Sequence, residues 1–514
     1  MTQAMWGKEI GTEVVRGIRF RTYTERPRDI AVLLAFADRW GDRPHIVQGE
    51  RVVTFAEVRR AAEAKAAQLA LRSGDRVLLL GFNSPEWIIN FWACVTAGAV
   101  PVLGNAWWSQ AELTDALELL TPALVLADAR ASRSLPGDTP VGTWAVTETA
   151  SAPVVVAAPH EDDPAAFVFT SGTSGKPKAV VLSHRSLLAG LHMLLHITRR
   201  LPQQVDEATG DAGLHTGPMF HIGGIQTLMR AITVGDTLVM PAGKFDPAEA
   251  LQLIEQWRIV RWSAVPTMVS RVLEHPDVHR RDLTSIRSIT VGGAPVHPDF
   301  LAQLRAGLPG VEPRVATGYG LTENGGQGVA ASGKDTTERP GSCGRALPCV
   351  ELSIADPGGE VLLRAPTQMI GYFGDDDSPI DAEGWLHTGD LGHLDDDGYL
   401  WITGRAKDMI IRGGENIAPA AVEEALGRIT GVVESAVFGV PHPDLGEEVM
   451  AVVVVEKGLT ADDLARELRS TVASFALPSR WRIEHEPLPT THSGKIDKKQ
   501  LASAELAAAA GGTA

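Results

Sequence analysis

Between the apolar runs Phe167–Phe169 and Ala179–Leu182 the chain places Thr170, Ser171, Gly172, Thr173, Ser174, Gly175, Lys176, Pro177 and Lys178. No side chain larger than threonine precedes Lys176. The two glycines let the backbone bend and bring N–H groups close to a ligand, and the hydroxyls add further donors. Lys176 and Lys178 supply positive charge on either side of a stiffening proline. This chemistry suits a multiply charged phosphate. It is not a Walker A loop, which needs four residues between its glycines and a Ser or Thr after the lysine. Here only Thr173 and Ser174 separate the glycines, and Pro177 follows Lys176. By composition alone a polar hairpin loop without a ligand fits as well.

Four later stretches carry comparable chemistry. Gly292, Gly293, Ala294 and Pro295 bring a side-chain-poor backbone past something close, which fits a ligand wall or a tight turn. In Gly318–Glu323, Tyr319 can stack on a planar ring, Thr322 can bond phosphate and Glu323 can hold a hard cation such as Mg²⁺; a structural turn fits the isolated stretch too. Asp390, after Thr388 and Gly389, can accept from ribose hydroxyls, and Arg405 supplies a cation soon after. Lys495 stands in a polar turn near the end of the chain.

The elements that must hold these residues follow from periodicity. Residues 28–127 alternate short apolar runs with helical stretches: a helix over 30–40, one strand over 45–53, a helix over 55–70, then 76–80, 85–97, 99–103, 110–120 and 123–127. That is an α/β pattern. Residues 131–164 read as a surface connection with an acidic end, and 200–213 as an exposed loop. A second α/β block begins near Gly217, with elements at 225–231, 237–240, 247–257, 262–265, 288–291 and 298–308. From Gly341 to Arg405 short runs predict a small antiparallel or barrel-like section. The chain divides at Lys407–Asp408, and 409–514 forms a smaller α+β domain with a helix over 461–475 and a fraying Ala-rich end.

Bulk properties narrow the class. The chain has 514 residues, a formal charge of −16 and three cysteines, Cys94, Cys343 and Cys349, without metal-site spacing. The acidity argues against broad nucleic-acid binding. The cysteines give no disulfide framework, so a reducing, cytoplasmic setting is expected. The N-terminus lacks a signal-peptide layout. The most apolar stretch, 87–103, is broken by Asn90 and Pro101 and reads as a buried helix leading into a strand rather than a membrane span. Peripheral contact of a surface patch with lipid stays open.

Taken together, Thr170–Lys178, Gly318–Glu323, Thr388–Asp390, Gly404–Asp408 and Ser493–Ile496 resemble, in order, the motifs of the adenylate-forming superfamily, which includes acyl-CoA synthetases, peptide-synthetase adenylation domains and firefly luciferase. The resemblance runs from the N-terminal helix to Lys495. It implies an N-terminal domain over 1–404 made of two α/β subdomains and a distorted β-barrel, a hinge over 405–408 centred on Lys407, and a mobile C-terminal domain over 409–514. It implies ATP, Mg²⁺ and coenzyme A as reactants and cofactors. Thr170, Ser171, Gly172, Thr173, Ser174, Gly175 and Lys178 would hold the leaving phosphates and Glu323 the metal. Tyr319 with Gly293 and Ala294 would sandwich adenine, Thr322 would reach the α-phosphate, and Asp390 and Arg405 the ribose side. Lys495 would bridge the acid carboxylate and the α-phosphate. After a domain rotation, Gly413 and Gly414 would line a path for the pantetheine arm, with Arg412 either meeting a phosphate of coenzyme A or standing solvated.

The resemblance also places the acid. His221 would gate its pocket, and Gly223, Gly224, Gln226 and Gly318, with Met229 and Val291, would line a mainly apolar tunnel. No Asp marks an ammonium-binding position, which disfavours amino acids. Ile411 replaces the lysine of luciferase and coumarate ligases, so light emission is not expected. The reading is ATP-dependent activation of a hydrophobic acid, such as a medium- or long-chain fatty acid, followed by transfer to coenzyme A. The alternatives are loading of an acyl-carrier protein and an inactive nucleotide- or lipid-binding scaffold.

Overall fold

The computed structural model describes residues 6–146, 156–170, 177–206, 210–292, 298–311, 315–413, 415–456, 458–491 and 495–511. Two large sheets carry the first part of the chain. One, of seven strands, runs in the order Gly371–Tyr372, Lys178–Ser183, Pro164–Thr170, Val100–Gly104, Arg76–Leu80, Leu124–Ala127 and Val141–Gly142. The other has nine strands, whose centre is Val315–Tyr319, Ser288–Val291, Arg261–Ala264, Ala212–His215 and Thr237–Met240, all parallel.

Local chemistry starts the helices where the strands stop. Ser84 caps the helix Pro85–Thr96, with proline in its first turn. Ser183, the last residue of its strand, caps His184–Ile197. The apolar stretch that could mimic a membrane span is the helix Pro85–Thr96 and the strand Val100–Gly104, with Trp87, Phe91 and Trp92 fully buried. No helix among the described residues is long and apolar enough to cross a membrane.

The remaining strands build two smaller bodies. Glu351–Ile354, Glu360–Arg364, Leu386–Leu394 and Leu400–Arg405 form an antiparallel sheet, the curled section expected from 341–405. From Ile410 onward the strands among the described residues pair only with one another, with a separate core around Ile417, Val437, Ala451 and Leu464. Between these lies the turn Ala406–Asp408, whose three residues are all exposed.

Several expected elements are corrected. The single strand over 45–53 is a hairpin, because Gly49 at φ +60 turns Gln48 back onto Arg51. The helix over 461–475 ends at Leu468, where Ser470 and Thr471 bond their hydroxyls to nearby carbonyls and compete with helix propagation. The Ala-rich end is the helix Lys498–Gly511, tied down by buried Leu501 and the Lys498–Glu423 ion pair at 2.6 Å. The 131–164 connection does not end in a solvated acidic run: Glu161 is 4% exposed and binds Arg26, Arg28 and Arg185. Similarly, the segment around Leu201 is buried, and Arg200 pairs with Asp211 and Asp236.

Candidate active site

The chemistry-bearing residues converge on one cleft of about 3940 Å³ between the large and small bodies. It is much larger than a typical small-ligand pocket because it includes the gap between them. Thr170, Lys178, His221, Tyr319, Thr322, Glu323, Asp390, Arg405, Lys407 and Lys495 all border it. Ser171, Gly172, Thr173, Ser174, Gly175, Gly293, Ala294 and Gly414 lie outside the described residues.

Asp390 anchors one wall. It is 3% exposed, accepts from the Tyr319 hydroxyl at 2.7 Å and pairs with Arg405 Nε at 2.8 Å. The bond fixes the Tyr319 ring, and burial with the nearby Asp390 charge raises its phenol well above the ordinary range. A second cluster lies at the hairpin that carries the Ser/Thr/Gly loop. Lys178 Nζ donates to Asp375 at 2.7 Å and sits 4.6 Å from the centre of the Tyr372 ring. The Tyr372 hydroxyl donates to Glu323 Oε1 at 2.9 Å. The lysine and the candidate metal carboxylate are thus joined through one tyrosine. Neither Tyr372 nor Asp375 stood out in the sequence; the acidic run 375–377 shortly after Tyr372 was the available signal.

Glu323 fits a magnesium ion. Mg²⁺ is commonly held by one or two carboxylates plus substrate phosphates, and Tyr372 orients this carboxylate at the cleft. No group of three or more metal-ligating side chains occurs among the described residues.

Lys495 reaches the cleft from the small body. Its turn is closed by the Thr490–Ile496 bridge and by Thr491 N donating to Lys495 O at 2.7 Å. Surrounding protein lowers the Lys495 pKa; the Arg405 charge adds to this and Asp390 opposes it. His221 is pushed down to about 4, first by burial and then by the Lys495 charge. Lys495 thus lines the same cleft as His221, Asp390 and Arg405. Gly413, at φ +59, lies outside the cleft lining, against Leu445, while Arg412 donates to the Phe475 carbonyl at 2.8 Å.

The acid-pocket residues divide. A Cβ on Gly223 would meet nothing within 4 Å, so this position opens directly into space. Gly224 also borders the cleft, but its Cβ would lie 2.6 Å from Met219 Cα and 2.7 Å from Met219 O, so glycine there serves close backbone approach. Gln226 lines the cleft but is engaged, donating to Gly325 O and accepting from Gln327 at 2.7 Å. Gly318 is exposed at the cleft. Met229 is fully buried in the core and does not line the cleft, while Val291 borders the cleft with its side chain packed into the helix-covered core.

A family model described as AMP-binding enzyme matches residues 33–373, and one described as AMP-binding enzyme C-terminal domain matches 421–495. The chain belongs to the AMP-binding enzymes. It is an AMP-forming acid–thiol ligase, and this family works with ATP, Mg²⁺ and coenzyme A. It is similar to the 3-[(3aS,4S,7aS)-7a-methyl-1,5-dioxo-octahydro-1H-inden-4-yl]propanoyl:CoA ligase of Mycobacterium tuberculosis, 33% identical over 90% of this chain and 95% of that one. It is 33% identical to a feruloyl-CoA synthase of Amycolatopsis over 89% and 96% of the two chains. Among solved structures, o-succinylbenzoate-CoA synthetase from Bacillus subtilis with an acyl-adenylate matches with TM-score 0.79 and 29% identity, covering 91% and 97%.

Proposed function

We propose that this AMP-binding enzyme activates a bulky, ring-bearing carboxylic acid to its acyl-adenylate and passes the acyl group to coenzyme A. The observation that supports the reading is that Lys495, from the small body, lines the same cleft as His221, Asp390 and Arg405. The ring-bearing class draws support from relatives named for ferulate and for a bicyclic dione propanoate, both acids with a ring two carbons from the carboxyl. Straight fatty acids are the competing class.

In this reading the acid carboxylate, already ionised at neutral pH, attacks the α-phosphorus and pyrophosphate leaves. No base is needed. Lys495 steadies the charge shared by the carboxylate and α-phosphate, and Thr322 donates to the same phosphate. Lys178 and the Thr170 loop take the leaving phosphates, for which Lys178 must give up Asp375. Glu323 would hold a magnesium ion, whose charge would offset that of the phosphates. Asp390 exchanges Tyr319 or Arg405 for the ribose hydroxyls, and Tyr319 offers its ring face to adenine. His221, neutral at pH 7, borders the acyl path without adding charge to it.

The small body then turns about Lys407, withdrawing Lys495 and bringing the Gly413 turn to the adenylate so that a thiol can enter. The thiolate attacks the mixed anhydride and AMP leaves. A carrier-protein pantetheine presents the same thiol and is the second acceptor reading. The three free cysteines fit a reducing, cytoplasmic compartment.

The test is acid-dependent pyrophosphate release across ring-bearing and straight-chain acids, with mass measurement of the product formed with coenzyme A or with carrier protein. AMP and a coenzyme A thioester of a ring-bearing acid are expected. ADP formation, or thioester only on carrier protein, overturns the corresponding part.

A further inference from the structure

The nine-stranded sheet turns a polar row toward the cleft. Across three neighbouring parallel strands His215 is level with Ser263, Ser263 with Thr290, and Thr290 with Ala316 on the next strand. The residues preceding them, Leu214, Trp262, Ile289 and Val315, face the helix-covered core. Strand alternation puts the row on the opposite face, and all four of its members border the cleft. Ala316 stands two residues, roughly 7 Å, before Gly318, at the strand end that leads to Thr322 and Glu323. That spacing suits the far side of a ring whose carboxyl lies at the strand ends.

Within this row His215 is distinctive. Ser263 and Thr290 are exposed and open to water. His215 is 4% exposed, and although the Gly217 backbone stands close enough to bear on the ring, neither ring nitrogen makes a well-aligned hydrogen bond. A buried polar group left unpaired costs stability, so such a group in a binding cleft calls for an explanation. Burial pushes the imidazole down to about 4. At pH 7 it is neutral, with one donor and one acceptor nitrogen. A hydroxyl or a keto oxygen can pair with it. A second charge would lose its hydration there without an opposite charge on His215 to offset it.

We propose that His215 hydrogen-bonds a neutral oxygen on the side of the acid remote from its carboxyl, so that the enzyme selects distally oxygenated acids over plain hydrocarbon ones. This rests on the acid-activation reading above and deepens it. An apolar tail would strip water from Ser263 and Thr290 and leave His215 unmatched.

The test compares kcat/KM, read as pyrophosphate release by the full-length chain with ATP and Mg²⁺, for 3-phenylpropenoic acid with and without a 4-hydroxyl. Wild type is expected to favour the hydroxylated acid by about tenfold, the scale of one net hydrogen bond. His215→Leu should bring the ratio to about one, and His215→Asn should lower it part-way. A wild-type ratio near one, or an unchanged ratio in folded His215→Leu, overturns the proposal. If His215→Leu does not melt cooperatively, His215→Asn decides, and an unchanged ratio there overturns it. If neither ring acid is activated, the ring-bearing class fails separately, and straight-chain acids with and without a terminal hydroxyl repeat the comparison. A preference erased by His215→Leu then upholds the role of His215; no preference removes it.

Discussion

At the scale of single residues, two adjacent glycines make opposite predictions. Gly223 borders open space, so Gly223→Val should narrow the cleft, and kcat/KM across an acid panel should shift toward thinner acids while melting is little changed. Gly224→Ala drives a Cβ into the Met219 backbone. Its expected effect is a loss of about 1–3 kcal/mol in denaturant unfolding, with the order of acid preference unaltered. Lys495→Ala should depress adenylate formation while coenzyme A capture from supplied acyl-adenylate persists; equal loss of both steps would contradict domain alternation. Lys178 is held by Asp375, whose carboxyl lies below the usual range chiefly through that bond. Asp375→Asn removes the competitor for phosphate and should lower the KM for ATP by about threefold, the scale of one partly exposed ion pair. Lys178 and Lys495 were legible in the sequence because their motifs are short and ordered. Asp375 was not, since its partner is 197 positions away.

At the scale of elements, the N-terminal hairpin Ile10–Val15 and Ile18–Tyr23 is held to the large body by charge. Arg26 binds Glu13 at 2.6 Å and Glu161 at 2.9 Å, and Arg185 binds Glu13, Glu161 and Asp162. Glu161→Gln leaves buried guanidinium groups short of charge, and calorimetry should show a loss of about 3 kcal/mol. The run 161–163 looked like solvated surface because a charge run does not disclose which arginines fold against it. Most strands and helices were legible from periodicity. The failures were ends and turns, such as Gly49 and Leu468, where local backbone geometry outweighed pattern.

For the whole molecule, acidity is the sensitive variable. Burial pushes His45, His192, His215 and His221 down to about 4 from 6.5. Below pH 6.5 the unfolded chain takes up protons that these four histidines refuse when folded. The unfolded state then binds more protons, so stability rises with pH and is lost progressively as pH falls from about 6.5 toward 4. Unfolding near pH 5 should take up about four protons from them; calorimetry in buffers of different ionisation enthalpy would measure it, and no uptake would refute their burial as neutral groups.

By itself the sequence determined the order of chemistry: a phosphate-suited loop, an aromatic–hydroxyl–carboxylate turn, an aspartate, an arginine and a terminal lysine, each legible because its motif is contiguous. Only the tertiary structure decided which of them meet, which glycine opens into the cleft, and that the sheet face below it is polar. Those facts depend on strand register and on contacts between distant segments, and residue spacing along one chain does not encode which side of a sheet a neighbouring strand will share.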